Sequence, residues 1–234
     1  MKLENTGQSE RWIFMDAGDT FIYGYPTFYE AIRDCMSTAG QECSLDTIKK
    51  AVHVFMEAAP PENITTQDKF RTYFHSMYRN VLEQLSYSEE INRGVSYLWG
   101  EWESGHRLRL FDDSYMALKI LKEKGFKLAI LSNWDTSFQK TLARLGVEHF
   151  FDIILASCEI GIAKPDPEFF HHALQLAKTK AEQVTFLGDQ IDYDLVPAKN
   201  LGMKTVYVDY YGREKKSDAV DYYVPSMSVA AWIL

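Results

Sequence analysis

Polar residues that close apolar runs are the first candidates for chemistry. Asp16 follows the run Trp12-Ile-Phe-Met15, with Asp19-Thr20 just beyond it. Ser132-Asn133 close Lys127-Leu-Ala-Ile-Leu131, and Asp189 closes Val184-Thr-Phe-Leu187-Gly188, with Asp192 and Asp194 close behind. Lys164 lies in Gly161-Ile-Ala-Lys-Pro-Asp-Pro167, after a weaker run over residues 153–156. Carboxylates brought to one edge repel one another unless a cation sits among them. A hard divalent cation with oxygen ligands, magnesium, resolves that conflict. A lysine and a serine beside it are what a phosphoryl group needs. Taken singly, the same residues have plainer readings. An Asp ending a strand caps a turn, Ser132-Asn133 form a turn, Lys164 is a solvated loop lysine, and Asp189 and Asp194 cap a helix.

The elements that must position these residues are legible as strands alternating with helices. The near-continuous apolar runs at 12–15, 127–131, 153–156, 184–187 and 205–208 suit strands buried on both faces, as in a parallel sheet. Helical patterns separate them. Residues 114–124 carry Met116, Leu118, Ile120 and Leu121 and stop at Gly125, and residues 136–145 stop at Gly146. Asp166-Pro167 opens a further helix as N-cap and first helical position. Residues 195–201 form the next and end at Gly202. Strand, helix, strand at this spacing means a mostly parallel α/β sheet. In such a sheet, ligands sit outside the carboxyl ends of the strands, where the polar residues above fall.

Residues 25–105 break the rhythm. They contain amphipathic helices over about residues 26–39, 44–59, 65–85 and 88–102, with Pro60-Pro61 between the second and third. The aromatics of this block (Phe55, Phe70, Tyr73, Phe74, Tyr78, Tyr97, Trp99, Trp102) read as its own core. The block interrupts the α/β pattern between the first strand and the second, as an inserted all-α module.

Together, Asp16-Ala-Gly-Asp-Thr20, Leu131-Ser-Asn133, Ala163-Lys-Pro-Asp-Pro167 and Gly188-Asp-Gln-Ile-Asp-Tyr-Asp194 resemble the four ordered motifs of the haloacid dehalogenase-like hydrolases. Ala198-Lys-Asn-Leu-Gly-Met203 fits the same pattern. The resemblance covers residues 11–23 and 107–230 and places the insertion where this family carries a helical cap of the first type. It implies a Rossmann-like α/β core over residues 1–24 and 106–234, a cap over 25–105, and magnesium-dependent hydrolysis of a small phosphorylated metabolite. Asp16 would be the nucleophile that forms an aspartyl intermediate. Asp16, the Gly18 carbonyl and Asp189 would hold magnesium, with Asp194 binding or orienting a ligand water. Ser132, the Asn133 amide and Lys164 would bind and neutralise the transferring group. Asp192 is expected to face solvent, and His171-His172 to be surface residues.

The chain departs from that pattern at one place. Phosphatases of the family carry an acid–base Asp two residues after the nucleophile, and here that residue is Gly18. The next acid, Asp19, is three places from Asp16 and would point away in an extended segment. Loss of an acid–base group costs ~10²–10⁴-fold in rate, so slow turnover is expected. Branches of the family without this Asp leave alternatives open. One is a 2-haloacid dehalogenase, which needs no metal. Another is a phosphonatase-type C–P hydrolase, whose cap lysine would be Lys49, Lys50 or Lys69. A third is a catalytically weak phosphate binder with a partner-binding cap.

Composition narrows the field. The 234 residues are 46% hydrophobic and 25% charged, which suits a packed domain and not a disordered chain. A net charge of −8 argues against a general nucleic-acid binder. Three cysteines, Cys35, Cys43 and Cys158, lack ligand spacing and point to a reducing compartment such as the cytoplasm. The opening MKLENTGQSER has no apolar run of the secretory kind, and no membrane span is expected.

Overall fold

The computed structural model describes residues 10–61, 64–213 and 216–234. The first nine residues, on which most of the expectation about a secretory segment rests, lie outside them. Along the chain run the strands β1 (Trp12–Met15) and β2 (Ile22–Gly24), then helices α1 (Phe28–Thr38), α2 (Leu45–Ala58), α3 (Gln67–Gln84) and α4 (Ile91–Ser104). Next come β3 (Leu108–Leu110), α5 (Ser114–Glu123), β4 (Lys127–Ser132), α6 (Phe138–Arg144), β5 (Ile153–Ala156), α7 (Ser157–Ile160) and α8 (Pro167–Ala177). The chain closes with β6 (Val184–Gly188), α9 (Val196–Asn200), β7 (Lys204–Val208), β8 (Tyr222–Val224) and α10 (Met227–Ile233).

The main sheet has six parallel strands in the order β5-β4-β1-β6-β7-β8. All four residues of β1 are buried because helices cover both faces. The pleat divides them: Ile13 and Met15 join a core with α5, α6 and α10, while Trp12 and Phe14 join one with α8 and α9. Each such side chain contributes about 1.5–3 kcal/mol by leaving water. At the centre, Met15 pairs with Ile130 of β4 and with Leu187 of β6, so these three strands end level with one another.

Helices α1 to α4 carry a third core of their own, built on Ile32, Met36, Val52, Met77, Val81 and Leu98. Their starts are written locally. Thr27 and Glu30 form a reciprocal capping box, and the hydroxyls of Ser44 and Thr66 cap α2 and α3. Asp166 caps α8 as its sequence implied, accepting from the Glu168 N–H at 2.9 Å. An antiparallel ribbon of β2 and β3 joins the helical unit to the sheet at both crossings. That ribbon, β8 and α10 are additions to the sequence pattern: each is short, and the three strands are only partly buried, so none carries a periodic apolar run. Residues 195–201 also differ from one regular helix, since a π turn over Ile191–Leu195 leads into α9. Among the described residues, no helix is long and apolar enough to cross a membrane.

Helix α10 is fastened through Asp113, which accepts from the Tyr210 hydroxyl at 2.6 Å and the Ser228 N–H at 2.7 Å. Burial alone would raise this carboxyl, but those hydrogen bonds hold it below the ordinary Asp value of 3.8. The stability this adds is therefore present above pH 3.8 and lost as pH falls through the lower folded value. Asp113→Ala should cost about 1.5–3 kcal/mol at pH 7 in urea unfolding. The gap to the parent should narrow toward pH 3; an equal gap at both ends would assign the loss to packing and not to charge.

Candidate active site

The level ends of β1, β4 and β6 deliver the site. Asp16 follows β1 directly, and its N–H donates to the Leu187 carbonyl of β6 at 2.9 Å. Its Oδ1 accepts from Lys164 Nζ at 2.6 Å and from the Ser132 hydroxyl, at the end of β4, at 3.3 Å. Lys164 Nζ also donates to Asp194 Oδ1 at 2.6 Å. The Asn133 side chain holds the lysine loop in place. Its Oδ1 accepts from the Lys164 N–H and its Nδ2 donates to the Lys164 carbonyl, both at 2.8 Å. Asp16, Ser132, Lys164, Asp189 and Asp194 are all buried. The sequence-chosen residues therefore meet at one edge.

The electrostatics are those of crowded carboxylates. Oxygens of Asp16, Asp189 and Asp194 lie within 4.8 Å of one another. Burial, reinforced by the charges on Asp16 and Asp194, pushes Asp189 above the ordinary Asp value, with Arg213 pulling the other way. Burial likewise raises Asp194, opposed by Lys164. For Lys164, burial favours the neutral amine, but the carboxylates of Asp16 and Asp194 outweigh it and hold the ammonium above its ordinary value. Among the described residues, Asp16, Asp19, Asp189 and Asp194 face two cations, Lys164 and Arg213, a formal surplus of two negative charges when all four acids are ionised. Asp189 Oδ1 is buried and has no hydrogen-bond partner among the described residues. An all-oxygen donor set with surplus charge and an unpaired carboxylate oxygen fits a hard divalent cation.

Asp19 corrects the expectation from alternation. Its φ of 54° is left-handed, so the chain turns there instead of running on extended, and Asp19 lines the same cavity as Asp16. Its carboxylate accepts from Tyr211 Oη at 3.0 Å and Arg213 Nη2 at 3.2 Å. Gly18 lies outside the left-handed region, and a Cβ placed on it would meet nothing within 4 Å. Asp192 is exposed, as expected, and His171 is exposed with His172 half-buried.

Arg213 is the site residue that inspection of the strand ends misses. Its Nη1 donates to Asp189 Oδ2 at 2.7 Å while its Nη2 reaches Asp19, so it ties two acids from different loops. The signal was its place in the loop after β7, at a carboxyl strand end, but five residues beyond the strand. Asp135 was also missed. It is buried and accepts from Trp102 Nε1 at 2.8 Å, latching α4 to the sheet edge. Gln67 Oε1 adds a second latch, accepting from Thr136 N and Oγ1 at 3.0 and 3.1 Å.

Between the sheet edge and the helical unit lies a cavity of about 590 Å³. Tyr78 and Trp99 belong to the helical core as expected, but Phe70, Phe74 and Trp102 also form a wall of this cavity, and Tyr97 is exposed. None of Lys49, Lys50 and Lys69 is among the described residues that line it.

The family model of the haloacid dehalogenase-like hydrolases matches residues 44–208, which include Ser132, Asn133, Lys164, Asp189 and Asp194. The chain belongs to this family. Glyceraldehyde 3-phosphate phosphatase from Methanocaldococcus jannaschii is 40% identical over 102 residues, 43% of this chain and 45% of that protein. The chain spans about half the length of the curated relatives it matches. The magnesium-bound HAD-hydrolase YfnB from Bacillus subtilis superposes with a TM-score of 0.78 at 20% identity, covering 97% of this chain and 99% of that one. L-2-haloacid dehalogenase from Xanthobacter autotrophicus does so with a TM-score of 0.72 at 16% identity, covering 96% and 98%. At these identities the likeness to this hydrolase family is one of fold.

Two glycines of the site should respond oppositely to a methyl group. A Cβ on Gly188 would meet Asp194 Oδ2 at 2.6 Å and Asp194 Cβ at 2.7 Å, so Asp194 could not stay against Lys164. Gly188→Ala should cost about 1–3 kcal/mol, about 2–4 °C of thermal midpoint per kcal/mol at this size. Gly18→Ala should stay within about 0.5 kcal/mol of the parent. Equal midpoints for the two variants in a thermal melt would show that Asp194 is not packed on Gly188.

Proposed function

We propose that this chain is a magnesium-dependent phosphatase of small phosphorylated metabolites, working through an aspartyl-phosphate on Asp16. The observation that carries the reading is the Asp16 carboxylate, held 2.6 Å from Lys164 Nζ at a buried edge shared with Asp189 and Asp194. Residues 25–105 act as the cap and residues 1–24 with 106–234 as the hydrolase core. The latches of Trp102 on Asp135 and Gln67 on Thr136 support a cap that closes the site from water. The unpaired oxygen of Asp189 has no task in a metal-free dehalogenase, and among the described residues the cavity lining offers no cap lysine for a phosphonatase. All three cysteines are free, which supports a reducing compartment such as the cytoplasm.

Asp16 attacks phosphorus, the ester P–O bond breaks, and the leaving oxygen departs with the bonding pair. Lys164 trades part of its pairing with Asp16 for the phosphoryl oxygens, and the Ser132 hydroxyl and the Asn133 backbone N–H donate to them. The Asn133 side chain keeps Lys164 on target. Magnesium held by Asp16, the Gly18 carbonyl and Asp189, with Asp194 orienting a ligand water, would supply charge neutralisation for the phosphoryl group. Water then attacks phosphorus, the bond to Asp16 breaks, and inorganic phosphate leaves. Gly18 offers no base for that second step, so the aspartyl-phosphate outlives the first.

Mass spectrometry of protein quenched during reaction with acetyl phosphate and magnesium should show a phosphoryl group on Asp16. Asp16→Asn should abolish the label. Gly18→Asp, which the open space around Gly18 accommodates, should clear it at least about tenfold faster, within the ~10²–10⁴-fold reach of acid–base catalysis. Phosphate release that survives Asp16→Asn would contradict the reading. Brisk turnover lost in Asp19→Asn would move the proton-handling role to Asp19.

A further inference from the structure

The cavity has two unlike walls. The charged residues that line it, Asp16, Asp19, Lys164, Asp194 and Arg213, all belong to the sheet side. Among the described residues, the helical side and the β2–β3 ribbon contribute no charged group to it. They contribute rings. Phe74 and Trp102 stack with centroids 5.9 Å apart and planes 11° apart, and Phe70 lies 4.6 Å from Phe74. Trp134, which directly follows Ser132-Asn133, continues the wall at 5.3 Å from Trp102. Tyr23 and Tyr29 line it as well, and the one aliphatic hydroxyl among the described lining residues of this side, Thr27, donates to Glu30 Oε2 at 3.0 Å. A carboxylate or amine on the leaving group would lose water against this wall and find no charged partner among its described residues, at a cost of several kcal/mol. A flat ring would stack. The volume of about 590 Å³ lies within the usual range of sites for ring-bearing ligands.

A second observation concerns the bond that breaks. Gly18 lines the cavity two residues after Asp16 and carries no side chain, so the loop beside the nucleophile offers no proton donor there. The next acid along the loop, Asp19, has its two oxygens taken by Tyr211 and Arg213. The site thus suits an oxygen that leaves without being protonated. A phenol resembles tyrosine, with a pKa of about 10, whereas an aliphatic alcohol lies near water, about 15.7.

We propose that the substrate is an aryl phosphate, a monoester whose bridging oxygen is carried on an aromatic ring seated against Phe74, Trp102 and Trp134. The assignment rests on the phosphatase reading above. An Asp16–phosphorus bond forms and the phosphorus–aryl oxygen bond breaks. The aryloxide leaves with the electron pair and takes its proton from water. A second water then adds to phosphorus, gives its proton to solvent, and restores the Asp16 carboxylate with release of inorganic phosphate.

The test has a binding arm and a labelling arm on the whole chain with magnesium. Phenylphosphonate and methylphosphonate, which cannot be hydrolysed, are titrated against intrinsic tryptophan fluorescence. The phenyl compound should bind about tenfold tighter or better, the scale of one ring stacking on an aromatic wall. Phe74→Leu and Trp102→Phe, both apolar and checked for folding by circular dichroism, should reduce that ratio. In single turnover, phenyl phosphate should label Asp16 at least about a hundredfold faster than benzyl phosphate or glyceraldehyde 3-phosphate. Gly18→Asp should narrow the phenyl-to-benzyl gap, since it returns a proton donor. Equal binding of the two phosphonates, or glyceraldehyde 3-phosphate labelling Asp16 as fast as phenyl phosphate, overturns the assignment while labelling by acetyl phosphate leaves the phosphatase reading standing. Failure of acetyl phosphate to label Asp16 overturns both.

Discussion

The ammonium of Lys164, buried between Asp16 and Asp194 at 2.6 Å from each, is the interaction on which the site depends. Charges removed from water are costly, and they are held there only by partners at close range. Lys164 meets that condition with its side chain, and Asn133 meets it for the backbone around the lysine. The arrangement fixes where everything else must be. Asp16 needs β1 to end level with β6, Asp194 needs the π turn after β6, and Gly188 must lack a side chain for Asp194 to lie against it. Removal of the lysine charge would leave buried carboxylates facing one another with Arg213 as the remaining cation paired to them among the described residues.

The fold solves a problem of access that follows from this burial. A charged edge buried within the sheet layers cannot meet a substrate, so the carboxyl ends of the strands open onto a cavity whose far wall comes from elsewhere in the chain. The helical unit supplies that wall. It has a core of its own, apart from the sheet's two cores, and Trp102 and Gln67 hold it against the loop that follows Ser132. Among the described lining residues, the sheet side carries every ion, and the helical side carries rings and no charge.

Much of this was legible in the residues. The runs ending at Asp16, Ser132 and Asp189 became adjacent strand ends because continuous apolar runs fit only strands covered on both faces. Asn133 and Lys164 looked like a turn and a loop residue, and only their company marked them. Three things stayed hidden. The turn at Asp19 depends on one left-handed residue that is not glycine, which alternation cannot anticipate. Arg213 reaches the site from a loop, with no periodicity to announce it. The aromatics of α3 and α4 follow a helical period whether they face their own core or the cavity, so Phe70, Phe74 and Trp102 could be assigned only once the helices were docked.

The central claim is that the surplus negative charge at this edge is matched by a divalent cation. Calorimetric titration of magnesium into the parent chain and into Asp189→Ala tests it most directly. The account predicts one magnesium bound per parent chain and no measurable binding to the variant, whose fold remains intact by circular dichroism. Equal affinity in the two would contradict the account, because the carboxylate with the unpaired oxygen would then have no part in holding the ion.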